Sequence, residues 1–268
     1  MKKVIHVERT EPLILLADEI VYSQYAHWCR ASATQLHMSV MRPRQYNTYD
    51  PPSHNLPVLL YICGGAFTRL DWNVWMPEMV YFAKRGYAVF GVEYSVHARM
   101  EFPTPVQELK EAIRFIRACK DEFDIDPDRI AIMGESAGGY LSTAIGVTGG
   151  TDEFDTKPYA EFSSAVQAVI PWYGPVAFED RPRGDERIKL FDPREYIDEN
   201  TPPFLILHGL ADKVVGPEHS EKLYDALQAK GVEADLYLIE DAEHSSDYFV
   251  QPPVKKLMLE FLDKHLKK

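Results

Sequence analysis

The chain has 268 residues, 46% hydrophobic and 26% charged, the balance of a globular protein that buries a large core. A formal charge of −12 with no clustered basic stretch argues against nucleic acid as a partner. Cys29, Cys63 and Cys119 are widely spaced and form no CxxC pair, which points away from a disulfide framework or a zinc site.

No apolar run approaches a membrane span, and Met1-Lys2-Lys3 is not followed by the apolar core and cleavage site of a secretory signal. The expectation is therefore a cytoplasmic chain with no membrane partner. Its length suits one α/β domain over 1–268.

The first 50 residues suggest short strands at Val4-Ile5-His6-Val7, Leu13 to Leu16 and Leu36 to Val40, joined by turns and suited to an antiparallel edge. From Pro57 onward, apolar runs alternate with amphipathic stretches, as βαβ units require. The runs are Val58 to Ile62, Tyr87 to Val92, Ile130 to Met133, Val166 to Trp172, Phe204 to Leu207 and Leu236 to Ile239. Between them the spacing predicts helices over 73–85, 105–121, 138–148, 217–230 and 253–267. In the second of these, Val106, Leu109, Ile113 and Ile116 recur at helical spacing and form a core-facing stripe.

The expected fold class is thus α/β, with a mostly parallel central sheet, helices on both faces and an antiparallel N-terminal edge. The charged segment 176–200, with Glu179, Asp180, Arg181, Arg183, Asp185, Glu186 and Arg187, is a candidate lid or rim.

Gly134-Glu135-Ser136-Ala137-Gly138-Gly139 places a serine in a Gly-x-Ser-x-Gly frame between an expected strand and an expected helix. A side chain on so sharp a turn is strained, and small neighbours let strand and helix approach. A serine hydroxyl is a weak nucleophile at neutral pH and needs a base, which a third group must orient. Where a serine sits on such an elbow, the acid and then the histidine follow it along the chain.

His208 ends a strand and His219 opens a helix, whereas His244 lies in the loop after the last strand. His244 is therefore favoured as the base. Asp212, beyond the Phe204 to Leu207 strand, is favoured as the acid over Asp241, which lies three residues before His244. Donors for a developing oxyanion are assigned to the N–H groups of Gly65 and Ala66, in Cys63-Gly64-Gly65-Ala66-Phe67, and of Ala137. No base adjoins Cys63 to make it a second nucleophile.

Ile62 to Phe67, Val92-Glu93-Tyr94, Phe102-Pro103, Asp126 to Ile130, Gly134 to Gly139, Pro203 to Gly209 and His244 together give a resemblance over about 57–265. The chain resembles the lid-poor carboxylesterases of the α/β-hydrolase superfamily, near the hormone-sensitive-lipase-like and the feruloyl and acetyl xylan esterase groups. Two departures stand out. Cys63 and Ala66 occupy the first and last positions of the family's His-Gly-Gly-Gly, and Glu93-Tyr94-Ser95 stands for Asp-Tyr-Arg. Alanine keeps its N–H; the histidine side chain is lost.

The resemblance implies a small-molecule ester substrate, with acetyl groups on carbohydrate or feruloyl-type aryl esters as the expected class. The chemistry requires no metal and no organic cofactor. Amide cleavage, as in arylformamidases or small peptidases, is an alternative, as is a non-catalytic ligand-binding relative. Phe67, Trp172 and Tyr173 are candidate substrate contacts, with Trp72, Trp75 and Phe178 as further aromatic residues near the site. Oligomeric state has no signal in the sequence.

Overall fold

A computed structural model describes residues 1–8, 10–26, 33–44, 56–68, 70–96, 102–176 and 192–267. Cys29, Phe178 and most of the charged 176–200 segment lie outside them. Within the described residues, eight strands form one sheet: β1 (Ile14–Ala26), β2 (Ala33–Pro43), β3 (Leu56–Ile62), β4 (Ala88–Val92), β5 (Ile125–Glu135), β6 (Ala168–Trp172), β7 (Phe204–Gly209) and β8 (Ala234–Ile239). Their spatial order is β1-β2-β4-β3-β5-β6-β7-β8. The β1–β2 and β2–β4 pairs are antiparallel, and every later pair is parallel.

Among the described residues, six α-helices cover this sheet: α1 (Met76–Ala83), α2 (Thr104–Ala118), α3 (Lys120–Phe123), α4 (Ala137–Thr148), α5 (Glu218–Ala229) and α6 (Pro252–Leu266). The expected helix over 105–121 divides at Cys119, and α3 ends on Asp124 in the left-handed conformation, φ 56°. Among the described residues no helix is long and apolar enough to cross a membrane.

Successive side chains on a strand point to opposite faces, so a parallel strand buried on both sides reads as an unbroken apolar run. In β3, Val58, Leu60 and Ile62 pack toward α2, α4 and α5, while Leu59 and Tyr61 pack toward α1 and α6. The α2 stripe of Val106, Leu109, Ile113 and Ile116 fills the first layer, and Met258, Phe261 and Leu262 of α6 fill the second. Burying each such side chain contributes about 1.5–3 kcal/mol. Helix α4 is buried on every side, which fits its sequence without a charged residue.

The N-terminal edge differs in detail from the expected short strands. Strand β1 runs the full 13 residues Ile14–Ala26 against β2, with register shifts at Ala17/Ile20 and Val21/Ser23. Val4, Ile5 and Val7 are outside any strand and 96, 77 and 68% exposed. Apolar residues make a strand only where a neighbour supplies hydrogen bonds, and among the described residues no strand pairs with Val4 to Val7.

Candidate active site

Because β3, β5, β6, β7 and β8 are parallel, the loops leaving their carboxyl ends gather on one edge of the sheet. Ser136 lies between β5 and α4 with φ 55° and ψ −119°, a conformation that non-glycine residues rarely adopt. Its own N–H donates to the Trp172 carbonyl at 3.0 Å, which ties the strained turn to the next strand. A Cβ at Gly138 would overlap the Ile62 carbonyl oxygen, so only glycine lets α4 begin this close to β3. Ala137, the first residue of α4, carries one of the N–H groups that a helix start leaves without an intrahelical acceptor.

The structure brings Ser136, His244 and Asp212 into one chain of hydrogen bonds. His244 Nε2 is 3.0 Å from Ser136 Oγ, and His244 Nδ1 is 2.7 Å from Asp212 Oδ2. A carboxylate only accepts, so Nδ1 carries the proton and Nε2 is left to accept from the serine hydroxyl. Asp212 is buried, and its Oδ1 accepts the Val214 and Val215 N–H groups at 2.8 and 2.9 Å. Two backbone donors therefore hold one oxygen while the other faces the imidazole.

The competing residues take other positions. Asp241 is exposed on a left-handed turn, φ 60°. His208 is buried, with Nδ1 2.6 Å from Ser220 Oγ, Nε2 2.9 Å from the Val215 carbonyl and Nε2 3.5 Å from Asp212 Oδ2. Burial holds the His208 imidazole below its ordinary range, which keeps it neutral beside the acid loop. His219 Nδ1 accepts the Val176 N–H at 3.4 Å.

A cleft of about 500 Å³ opens above the serine, within the range of small-molecule sites. Its walls include Gly65, Ala66, Leu70, Val74, Val214 and His244. Gly65, Ala66 and Phe67 have φ of 125°, 53° and 57°, a sharp reversal directly after β3. The Gly65 carbonyl accepts from the Thr68 N–H at 2.9 Å and the Thr68 hydroxyl at 3.0 Å. In a trans peptide the N–H points opposite to the carbonyl, so the Ala66 N–H faces away from Thr68.

Burial pushes the Cys63 thiol up to about 12, with the Glu135 carboxylate adding to the effect. Among the described residues no group of three or more His, Cys, Asp or Glu stands close enough to hold a metal ion.

Phe67, Trp172 and Tyr173 do not line this cleft. Phe67 is 3% exposed and packs edge-on against Tyr140, with ring centres 6.1 Å apart. Trp172 is fully buried and stacks on Phe249 at 6.0 Å. Tyr173, also fully buried, presses edge-on against the His244 ring at 4.8 Å and so backs the imidazole from inside the core. Aromatic residues at strand ends here satisfy the core before they reach solvent.

The sequence did not show that Glu135 and Tyr94 meet the Cys63–Gly64 peptide or that His208 lies beside Asp212. Their signals were slight: Glu135 precedes Ser136, Tyr94 closes the Val92-Glu93-Tyr94 motif, and His208 lies four residues before Asp212.

The fold and the arrangement of these groups define an α/β-hydrolase. The chain belongs to the BD-FAE family, whose model matches residues 47–227. It is 28% identical over 203 residues to the esterase LipC of Mycobacterium tuberculosis, covering 67% of this chain and 50% of that protein. It thus spans about half the length of that relative.

Among solved structures it is similar to a truncated form of a carbohydrate esterase from gut microbiota, with TM-score 0.79, 22% identity, and 95% of this chain and 97% of that one covered. It is also similar to esterase 2 of Thermogutta terrifontis phosphoramylated by tabun, with TM-score 0.79, 23% identity, and 94% and 96% covered. At these identities the structural likeness establishes the fold.

Proposed function

We propose that this protein is a serine carboxylic-ester hydrolase working through an acyl-enzyme, on short-chain acyl or aryl esters of carbohydrate or small alcohols. The observation that carries the reading is the hydrogen-bond chain from Asp212 Oδ2 through His244 to Ser136 Oγ, at 2.7 and 3.0 Å. Membership of the BD-FAE family and the esterase names of its relatives support the ester as substrate class.

In this mechanism Ser136 Oγ bonds to the ester carbonyl carbon as its proton passes to His244 Nε2. The negative charge on the carbonyl oxygen meets the Ala137 N–H at the start of α4 and the Gly65 and Ala66 N–H groups. Such preset donors typically contribute several kcal/mol to the barrier reduction. Asp212 keeps the imidazolium oriented and stabilises its charge.

The carbon–oxygen bond to the leaving alcohol then breaks, and His244 returns its proton to that oxygen. Water repeats the sequence on the acyl-enzyme, releasing the acid and restoring the serine. The 500 Å³ cleft, with its short aliphatic walls of Leu70, Val74 and Val214, supports compact acyl groups over long chains.

The test is hydrolysis of p-nitrophenyl esters by wild-type and Ser136→Ala protein, with an organophosphonate adduct located by mass spectrometry. Acetate is expected to turn over faster than octanoate, and Ser136→Ala to lose at least on the order of 10³-fold in kcat. The adduct is expected on Ser136. Unchanged turnover in Ser136→Ala, or an adduct elsewhere, would overturn the reading.

A further inference from the structure

The loop that begins at Cys63 has no histidine side chain to support it, and a carboxylate from the neighbouring strand takes hold of it instead. Glu135, the last residue of β5, is 5% exposed, and its Oε1 accepts the Gly64 N–H at 2.5 Å. The Cys63 thiol points to the same oxygen at 3.8 Å. On the other side of the same peptide unit, the Tyr94 hydroxyl donates to the Cys63 carbonyl at 2.8 Å. Carbonyl and N–H of a trans peptide lie antiparallel in one rigid plane. Two bonds, one at each end, therefore fix the Cys63–Gly64 plane.

The contact is also tight. A Cβ on Gly64 would stand 2.6 Å from both carboxylate oxygens of Glu135, so the bare backbone rests directly on the carboxylate. Immediately after this clamp come Gly65, Ala66 and Phe67 at positive φ. Left-handed non-glycine residues persist only where the surroundings over-determine them. Burial raises the Glu135 carboxyl above its ordinary range, and the Gly64 N–H and nearby His244 draw it back toward ionisation.

We propose that Glu135 is a positioning residue: with Tyr94 it sets the Cys63–Gly64 peptide plane and thereby aims the Gly65 and Ala66 N–H groups at the oxyanion. This assignment rests on the serine-hydrolase reading above. Glu135 acts through Gly64, and its function is that of an acceptor. The side chain next to the nucleophile thus does the work that the missing histidine leaves undone.

The experiment compares kcat and KM of wild type, Glu135→Ala, Glu135→Gln and Tyr94→Phe on p-nitrophenyl acetate, with melting temperatures alongside. Misaimed oxyanion donors lower kcat, so Glu135→Ala is expected to lose on the order of 10²-fold in kcat with KM within about threefold of wild type. Glu135→Gln keeps an acceptor oxygen for the Gly64 N–H and is expected to recover most of that loss. Tyr94→Phe frees the other end of the plane and is expected to lower kcat by about tenfold, again with little change in KM.

Glu135→Ala turning over within about threefold of wild type would overturn the assignment, as would Glu135→Gln as impaired as Glu135→Ala. If Glu135→Ala does not fold, Glu135→Gln and Tyr94→Phe decide. Glu135→Gln close to wild type together with the kcat loss in Tyr94→Phe upholds the clamp; a full loss in Glu135→Gln or an unchanged kcat in Tyr94→Phe overturns it. A wild-type protein without Ser136-dependent turnover would sink the hydrolase reading and this assignment together, whereas an active wild type with an indifferent Glu135→Ala sinks this assignment alone.

Discussion

The Ala211 N–H donates to the Ala242 carbonyl at 3.0 Å, joining the loop that carries Asp212 to the loop that carries His244. A second bond, from the Leu210 N–H to the Ile239 carbonyl at 2.9 Å, extends the β7–β8 ladder up to that junction. The acid and the base therefore move as one piece. Their 2.7 Å contact depends on the register of two neighbouring parallel strands.

That register brings Asp212, the aspartate the chain order favours, against His244 and leaves Asp241 on an exposed turn. Asp212→Asn replaces the acceptor facing His244 Nδ1 with an amide that can donate, which favours the wrong tautomer. The expected loss in kcat is on the order of 10²- to 10⁴-fold. Asp241→Asn, at an exposed turn, is expected to stay within about twofold of wild type. Steady-state kinetics on the two variants check this, and the reverse ranking would assign the acid to Asp241.

Another buried carboxylate, on α2, gives a pH signature in stability. Glu108 of α2 accepts the Ser95 N–H at 2.7 Å and the Ser95 hydroxyl at 2.6 Å, and burial raises its carboxyl to about 7. The folded pKa lies above the unfolded one, so between about 4.5 and 7 the folded state keeps a proton that the unfolded chain has lost. The stabilisation is complete below that window and is lost as pH rises through it, on the order of 3 kcal/mol in all. Glu108→Gln is expected to flatten the fall in urea-midpoint stability between pH 5 and pH 8. Parallel curves for variant and wild type would show that Glu108 does not titrate there.

The Cys63 thiol borders the cleft, and its pKa near 12 sets its reactivity. At pH 8 the thiolate fraction is on the order of 10⁻⁴, against roughly a quarter for an ordinary thiol. Iodoacetamide at that pH is expected to leave Cys63 unmodified over an hour in the folded protein and to modify it in urea. Peptide mapping reads the outcome. Fast labelling in the folded state would contradict the burial assigned to this residue.

Much of the architecture was legible because it is written locally. The apolar runs at Val58 to Ile62, Ile130 to Met133 and Phe204 to Leu207 are strands buried on both faces, and the Val106, Leu109, Ile113 and Ile116 spacing marks a helix with one buried stripe. Val4 to Val7 shows the limit of that logic. Its apolar residues suggest a strand, but pairing is a property of two segments, and among the described residues no β-strand pairs with it.

The strained turn at Ser136 was likewise readable, since Gly134 to Gly139 encodes it within six residues. Chain order also singled out Ser136, Asp212 and His244, whereas the contact of Glu135 with Gly64 and the distances between all these groups were not readable. Glu135 and Gly64 are 71 positions apart, His244 and Asp212 are 32 apart, and His244 and Ser136 are 108 apart. Trp172 and Tyr173 were expected at the substrate and lie in the core, because the alternation of a strand end does not say how far the covering helices extend over it.

The sequence by itself determined the order of the strands from Val58 onward, the antiparallel start and the elbow that holds Ser136, since these follow from periodicity and turn chemistry over a few residues. Chain order also favoured Asp212 as the partner of His244, but only the tertiary structure decided the distance between them, which aromatic rings are hidden and which carboxylate meets the Cys63–Gly64 peptide. Those choices depend on strand register and close packing, which fix distances between residues that the chain keeps far apart.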